Sequence, residues 1–449
     1  MLILKKIIYF SFFFLLKILA IVSVNIFFFR NKELYKKNIC VPDLNTYGDC
    51  ILFYDYIRLL NLKKKNYFII IPKVKQQIDL VRIFFNKRQY KIFDEIIYNS
   101  ILLSFTFFYK ILNKKTGSLI IDFNYLLNQS IRKKIIKIFG DKNLVTLFRN
   151  YDSKNDHYVK KYKKCFSQDF IKKYIKTRYL DNKNEFSFEH INLIKEKGNF
   201  ALGKELDIKS LKKNIFEKLN ITKKYICLFL RPYNLSTQRF YETDVRSSGN
   251  MYNYIKLYHS YLKKNYQVIL MGSYNKIFDN ENYLNFINYR NSSYQSVLND
   301  FILTSYCEFS ICNIGGYAVL PSVLGKPNLL VNTSCFFDNY FFNKTIYHPK
   351  SFKKNNKYLS ILDIMRNPIF FESSTEAFHQ QNIVSNDISY LELYNTVKYF
   401  IKVIKNNQFN RKHIKNKIVK KNLTPLHLLF NLSYRRLSKT YLDYQKIKN

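Results

Sequence analysis

Asn313-Ile314-Gly315-Gly316 closes the apolar run Ser310–Cys312 and is followed by a short apolar stretch, residues 317–324, and then by Gly325-Lys326-Pro327. Two adjacent glycines, in a chain of 449 residues that has only 10, mark a tight turn where backbone amides approach a ligand with no Cβ in the way. If a strand precedes the pair and a helix follows it, unsatisfied N–H groups and a partial positive charge face the strand's end, an arrangement that suits phosphate. A merely structural turn is the competing reading. Arg231 ends a second apolar run, Gly272-Ser273 ends a third, and the loop between them carries Arg239, Asp244 and Arg246. A guanidinium donates paired hydrogen bonds to pyrophosphate, although each arginine taken alone reads equally well as an ordinary surface or ion-pairing residue.

The elements that must position these residues follow from the hydrophobic pattern. KYICLFLR (224–231), YQVILMGS (266–273), EFSIC (308–312) and NLLVN (328–332) read as buried strands, and residues 251–265, 294–306 and 317–324 as helices between them. Gly325 stops the last of these helices and Pro327 prevents its continuation. The resulting βαβαβαβ series predicts a doubly wound parallel sheet with its ligand crevice at the carboxyl ends of the strands. Upstream, residues 66–72, 117–124 and 143–148 read as further strands, and Gly48 opens a helical pattern, so a second parallel sheet is expected. Between about 154 and 224 the pattern weakens into lysine-rich and asparagine-rich stretches. Beyond Asn332 the chain reads as aromatic-rich loops up to residues 389–400, where Ser389 and Glu392 fit a capping box opening an amphipathic helix. Residues 410–422 form a basic stretch suited to a solvated helix face or to anionic lipid.

The formal net charge of +42 suggests an anionic partner, but Lys, Asn, Ile, Tyr and Phe are abundant together and Trp is absent, as A/T-rich codons would produce. Basicity alone therefore names no partner. Seven cysteines, odd in number, scattered and without a C-x-x-C pair, indicate a reducing compartment, and neither they nor the 7 histidines show metal-ligand spacing.

Residues 7–29 form a largely apolar stretch whose only strongly polar residues are Lys17 and Asn25, about the length that spans a bilayer. Arg30, Lys32, Lys36 and Lys37 follow, against Lys5 and Lys6 before, which places the bulk of the chain in the cytoplasm. A cleaved signal peptide and a helix lying in the interface are the rival readings.

The stretches ICLFLRPYN, TDVRSSGNMYNYIKLYHSYLKKNYQVILMGS and LNDFILTSYCEFSICNIGGYAVLPSVLGKPNLLVN, with the later FESSTEAFHQQNI, resemble a family of bacterial glycosyltransferases of surface-polysaccharide biosynthesis, of the two-Rossmann GT-B type. The resemblance covers roughly residues 225–397. It implies a nucleotide-sugar donor in the carboxy-terminal domain, contacted at Arg231, Arg246, Gly272, Gly315 and Gly316, and an acceptor in the amino-terminal domain; Ser273 and Asn313, in the same strand-end turns, are further candidate donor contacts. One departure is that the helix after the glycine turn offers Pro321 and Ser322, whereas many such enzymes carry a glutamate there for the donor ribose. NTYGDCILFYDYIRLL (45–60) is similar to the Gly-Asp turn of heptosyltransferase-like enzymes, which implies Asp49 as general base toward an acceptor hydroxyl; that role favours inversion. Asp49 as a helix cap is the alternative, and Asp55 is a weaker candidate base.

The expected fold is therefore α/β and GT-B-like, two Rossmann-like domains facing a cleft, with an N-terminal membrane-anchor helix. Residues 1–40 would form the anchor and its basic flank, 41–205 the acceptor domain, 206–372 the nucleotide-sugar domain, and 373–449 carboxy-terminal helices and a basic tail. The expected reaction moves a sugar from a nucleotide-sugar donor to a surface-polysaccharide or lipid-linked glycan acceptor at the cytoplasmic side of the bacterial inner membrane. No cofactor is implied and no metal is required, and the chain contains no D-x-D. A catalytically inactive, membrane-associated GT-B-like scaffold is the alternative. No RNA-recognition signature or zinc-finger spacing supports nucleic acid as a partner.

Overall fold

The computed structural model describes residues 38–41, 47–61, 66–70, 76–85, 90–92, 119–121, 144–145, 193–194, 196–202, 207–231, 251–271, 284–334, 344–360, 363–364, 378–379 and 381–409, with Val22 and Ile26. Apart from those two residues, the expected anchor at 7–29 lies outside the described residues, as does the basic stretch 410–422. Among the described residues no helix is long and apolar enough to cross a membrane. The chain divides into two compact units, Met1–Asn150 and Tyr151–Asn449.

In the first unit β1 (Asn38–Val41), α1 (Tyr47–Asn61), β2 (Asn66–Ile70), α2 (Gln76–Phe84), β3 (Tyr90–Ile92), β4 (Leu119–Ile121) and β5 (Leu144–Val145) follow in order. Their strands form a five-stranded parallel sheet, β3-β2-β1-β4-β5. Tyr54 of α1 joins the two helices, with its ring centroid 6.0 Å from that of Phe84 and 5.7 Å from that of Phe85. Asp55 is fully buried and accepts from Arg58 through Nε at 2.9 Å and Nη2 at 2.7 Å. This weaker base candidate is thereby engaged in an ion pair within its own helix.

The second unit holds α3 (Ile208–Lys218), β6 (Tyr225–Phe229), α4 (Tyr252–Leu257), β7 (Gln267–Leu270), β8 (Phe286–Ile287), α5 (Val297–Tyr306), β9 (Ser310–Cys312), α6 (Val319–Val323), β10 (Asn328–Thr333) and β11 (Thr345–Pro349). Helix α4 runs on through a π-helical turn, Tyr258–Leu262, to Asn265. The strands form a six-stranded parallel sheet, β11-β10-β9-β6-β7-β8. In β6, Ile226 and Leu228 pack with Tyr254, Leu257, Val397 and Phe400, while on the other face the Tyr225 hydroxyl donates to the Leu303 carbonyl at 2.7 Å. Burial on both faces is why the strand reads as an unbroken apolar run.

The carboxy-terminal part holds more strand than the sequence suggests. Besides β11, an antiparallel sheet in the order β13-β12-β14 joins β12 (Ser351–Lys354), β13 (Lys357–Tyr358) and β14 (Ile383–Asn386). A half-exposed, lysine-bearing strand such as β12, in which Phe352 is the buried residue, presents no continuous apolar signal. The expected capping box is present at α7 (Tyr390–Lys405): the Ser389 hydroxyl accepts from the Glu392 amide at 3.3 Å, and the Glu392 carboxylate from the Ser389 amide at 2.9 Å. The buried Lys350, which follows β11, forms an ion pair of 2.8 Å with the half-buried Asp387, just ahead of that cap.

Candidate functional site

Parallel strands deliver their carboxyl ends to one edge. In this strand order the connections leaving β6 and β9 turn in opposite directions, which opens a crevice between them. Arg231 leaves β6 and Asn313 leaves β9 at this place.

Asn313 is buried, with 2 % of its surface exposed. Its backbone amide donates to the Phe229 carbonyl at 2.9 Å, and its Oδ1 accepts from the Arg231 amide at 2.9 Å. Its Nδ2 donates to the Tyr254 hydroxyl at 3.0 Å and to the Val331 carbonyl at 3.2 Å. One side chain thus ties the ends of β6 and β9 to β10 and α4, and what Asn313 gives the crevice is its shape. Arg231 is half-buried there.

Gly315 has φ 174° and ψ 176°, extended backbone open to any residue, and among the described residues a Cβ built on it meets nothing within 4 Å. As far as the described residues go, the turn therefore borders open space. Gly316 starts a 3₁₀ turn, Gly316–Ala318, that passes into the five-residue α6. The expected helix from Tyr317 is thus shorter and begins as 3₁₀, because Pro321 tolerates only a first-turn position. Local N–H groups, rather than a sizeable helix dipole, supply whatever positive potential the turn presents.

The far end of α6 is held from a distance. Gly325 adopts φ +67°, and a Cβ there would lie 2.6 Å from the Asn199 side chain. The Asn199 amide donates to the Ser322 and Val323 carbonyls at 3.3 and 3.4 Å, and the Phe200 amide to the Val323 carbonyl at 3.0 Å. These bonds occupy carbonyls that a helix end leaves without partners.

Tyr317 follows the glycine pair and stacks on Phe229, with centroids 5.6 Å apart and planes 25° from parallel. Burial and the nearby Asp300 carboxylate push its phenol up to about 12, while the charge and hydrogen bond of Arg290 and a hydrogen bond from Gln295 pull the other way. Asp300 is buried in the first turn of α5, where a helix N-terminus favours negative charge. Burial first, and then Asp300, also raises the Tyr289 phenol. Sequence reading missed Tyr317, Arg290, Gln295 and Asn199, which belong to no spaced motif. Nearby, Cys227, Cys307 and Cys312 are buried free thiols, and burial pushes Cys227 and Cys312 above the usual range, as for inert core cysteines.

Arg246, Gly272 and Ser273 lie outside the described residues. In the first unit α1 starts at Tyr47, so Asp49 is its third residue, within the first turn rather than at the cap. That turn follows β1, and the first sheet likewise has its switch of direction at the β1–β4 pair. Among the described residues no three His, Cys, Asp or Glu side chains converge as a metal site.

No protein-family model and no curated protein matches the chain. Similar solved structures include a glycosyl transferase family 9 protein from Veillonella parvula, at 12 % identity and TM-score 0.43, covering 71 % of this chain and 87 % of that one. The ADP-heptose lipopolysaccharide heptosyltransferase II of E. coli overlaps at 13 % identity and TM-score 0.43, over 77 % of this chain and 98 % of its own. The UDP-GlcNAc 2-epimerase of Neisseria meningitidis overlaps at 12 % identity and TM-score 0.41, over 92 % and 100 %.

Proposed function

We propose that the protein is a GT-B-type glycosyltransferase that moves a sugar from a nucleotide-sugar donor to a surface-polysaccharide or lipid-linked glycan acceptor. The observation that carries this reading is the bond from the Arg231 amide to Asn313 Oδ1, which sets a basic residue beside the open glycine turn at the switch point of a doubly wound sheet. In this scheme Arg231, with Arg246 and the amides at Gly315 and Gly316, stabilises the negative charge that gathers on the departing nucleoside diphosphate. Gly272 and Ser273 border the same donor from the end of β7. The Asp49 carboxylate takes the proton of the attacking acceptor hydroxyl, so the sugar's anomeric carbon inverts. Residues 1–40 hold the enzyme at the cytoplasmic face of the bacterial inner membrane, where lipid-linked acceptors are presented.

The deciding experiment incubates the purified full-length protein with UDP-, ADP- and GDP-sugars, with and without lipid-linked glycan acceptors, and measures nucleoside diphosphate release. Release from one donor class, lost in Arg231→Ala with the fold intact, supports the reading. Turnover unchanged by that substitution refutes the assignment of Arg231. Donor binding without release from any donor favours a non-catalytic scaffold, and no binding at all ends the nucleotide-sugar reading.

A further inference from the structure

The strand-end edge carries another cation that no motif marks. Arg290 sits in the 3₁₀ turn Tyr289–Asn291, directly after β8, whose carboxyl end lies on the same edge as those of β6 and β9 because all these strands are parallel. The mount is rigid. Tyr289 is fully buried, and its hydroxyl accepts from the Ser296 amide at 3.0 Å and donates to the Ser296 carbonyl at 3.2 Å. Ser292 closes the turn, its amide and hydroxyl both donating to the Tyr289 carbonyl, at 3.0 and 2.8 Å.

From this mount the half-buried guanidinium reaches the phenol of Tyr317, the residue next to Gly316. The Tyr317 ring is fixed in turn by its stack on Phe229, the last residue of β6. A phenol oxygen engages one edge of a guanidinium that has five donors. Among the described residues no carboxylate forms an ion pair with Arg290. Asp300 acts on the same phenol, but a partly desolvated guanidinium on a fixed mount, in no direct ion pair among the described residues, is most favourable when an anion completes its donor set.

We propose that Arg290, oriented by the Tyr317 phenol, is a phosphate-contacting residue of the strand-end site, donating to the diphosphate of the ligand that the Gly315-Gly316 turn faces. This rests on the nucleotide-sugar reading above and adds to it a binding residue from β8, on the side of the sheet edge away from β9.

The test is calorimetric titration of the full-length protein with UDP, ADP and inorganic pyrophosphate at low salt. Arg290→Ala is expected to weaken all three by a similar factor, about tenfold or more, because the contact is to phosphate and not to a base. Arg290→Lys keeps the charge but not the fork and recovers only part of the loss. Tyr317→Phe keeps the stack on Phe229, weakens binding a few-fold, and adds nothing in the Arg290→Ala background. Arg290→Gln replaces Arg290→Ala should the latter fail to fold. Wild-type binding of all three probes by Arg290→Ala and Arg290→Gln, alongside loss in Arg231→Ala, overturns this proposal and leaves the proposed function standing. Weakening of one nucleotide but not of pyrophosphate overturns the phosphate contact in favour of base recognition. Failure of the wild-type protein to bind any of the three removes both readings.

Discussion

The Arg231 backbone amide donates to Asn313 Oδ1 at 2.9 Å, joining the last turn out of β6 to the first turn out of β9. These are the two strands between which the six-stranded sheet reverses its direction of winding. A charged side chain at a strand end is useful only if the strand end itself is held, and here a neutral buried amide does the holding. The same amide donates to Tyr254 and Val331, so its loss strands groups from three elements at once.

Asn313→Ala is therefore expected to destabilise the protein by about 3 kcal/mol, since several buried partners lose their hydrogen bonds together. Urea unfolding checks it through the shift in midpoint. Asn313→Asp keeps the acceptor for Arg231 but replaces a donor to the Val331 carbonyl with a second acceptor, and it should be no more stable than the alanine variant. A loss under about 1 kcal/mol for either variant would show that the brace is dispensable.

Gly325 and Asn199 form a coupled pair 126 positions apart in sequence, because the Asn199 side chain fills the space where a Cβ at position 325 would stand. Gly325→Ala should cost about 1 kcal/mol for its left-handed backbone and more for displacing Asn199. Asn199→Ala should cost about 1 kcal/mol for the lost cap. In the Asn199→Ala background, Gly325→Ala should cost only the backbone part, so the double-mutant cycle gives a non-zero interaction energy. Additive single effects would dissolve the coupling.

What the sequence makes legible here, and what it hides, follows from the range of each interaction. Tyr225–Phe229 reads as a strand because both of its faces are buried, and the Ser389 and Glu392 cap reads as a helix start because its partners are three residues apart. The Gly325 stop is local too. Asn199 capping α6 and Arg290 meeting Tyr317 are pairings across the fold between residue types that are common everywhere, and no local pattern announces them. The Gly315-Gly316 turn stands between: its position is legible, but only the structure shows that Gly315 has unstrained extended backbone and, among the described residues, open space beside it.

Alkaline stability offers a check on the surroundings of Tyr317. Its phenol is raised to about 12 by burial and by Asp300, above the value near 10 expected in the unfolded chain. The folded state then holds a proton that the unfolded state releases, so this contribution is complete below about pH 10 and declines as pH rises toward 12. Tyr317→Phe should make the fall of unfolding free energy across that window shallower, by at most about 1.4 kcal/mol per pH unit, one proton's worth. Denaturant curves at three alkaline pH values measure the slope. An unchanged slope would mean that the phenol titrates as it does in the unfolded chain.

Gly315 separates a requirement of the fold from a requirement of the ligand. Its backbone is extended, which alanine adopts freely, and among the described residues the space beside it is open, so Gly315→Ala should fold with a stability within about 0.5 kcal/mol of the wild type. If a diphosphate lies against this turn, the added methyl group occupies part of the ligand's space and keeps it from the amides. Binding of UDP or ADP should then fall by about tenfold or more with no change in the unfolding curve. Gly316→Ala is the weaker probe, because its residue also starts the 3₁₀ turn, and a loss there mixes fold with ligand. Were Gly315→Ala to bind as the wild type does, the glycine turn would be a scaffold feature, and the diphosphate would have to be held by the arginines without it.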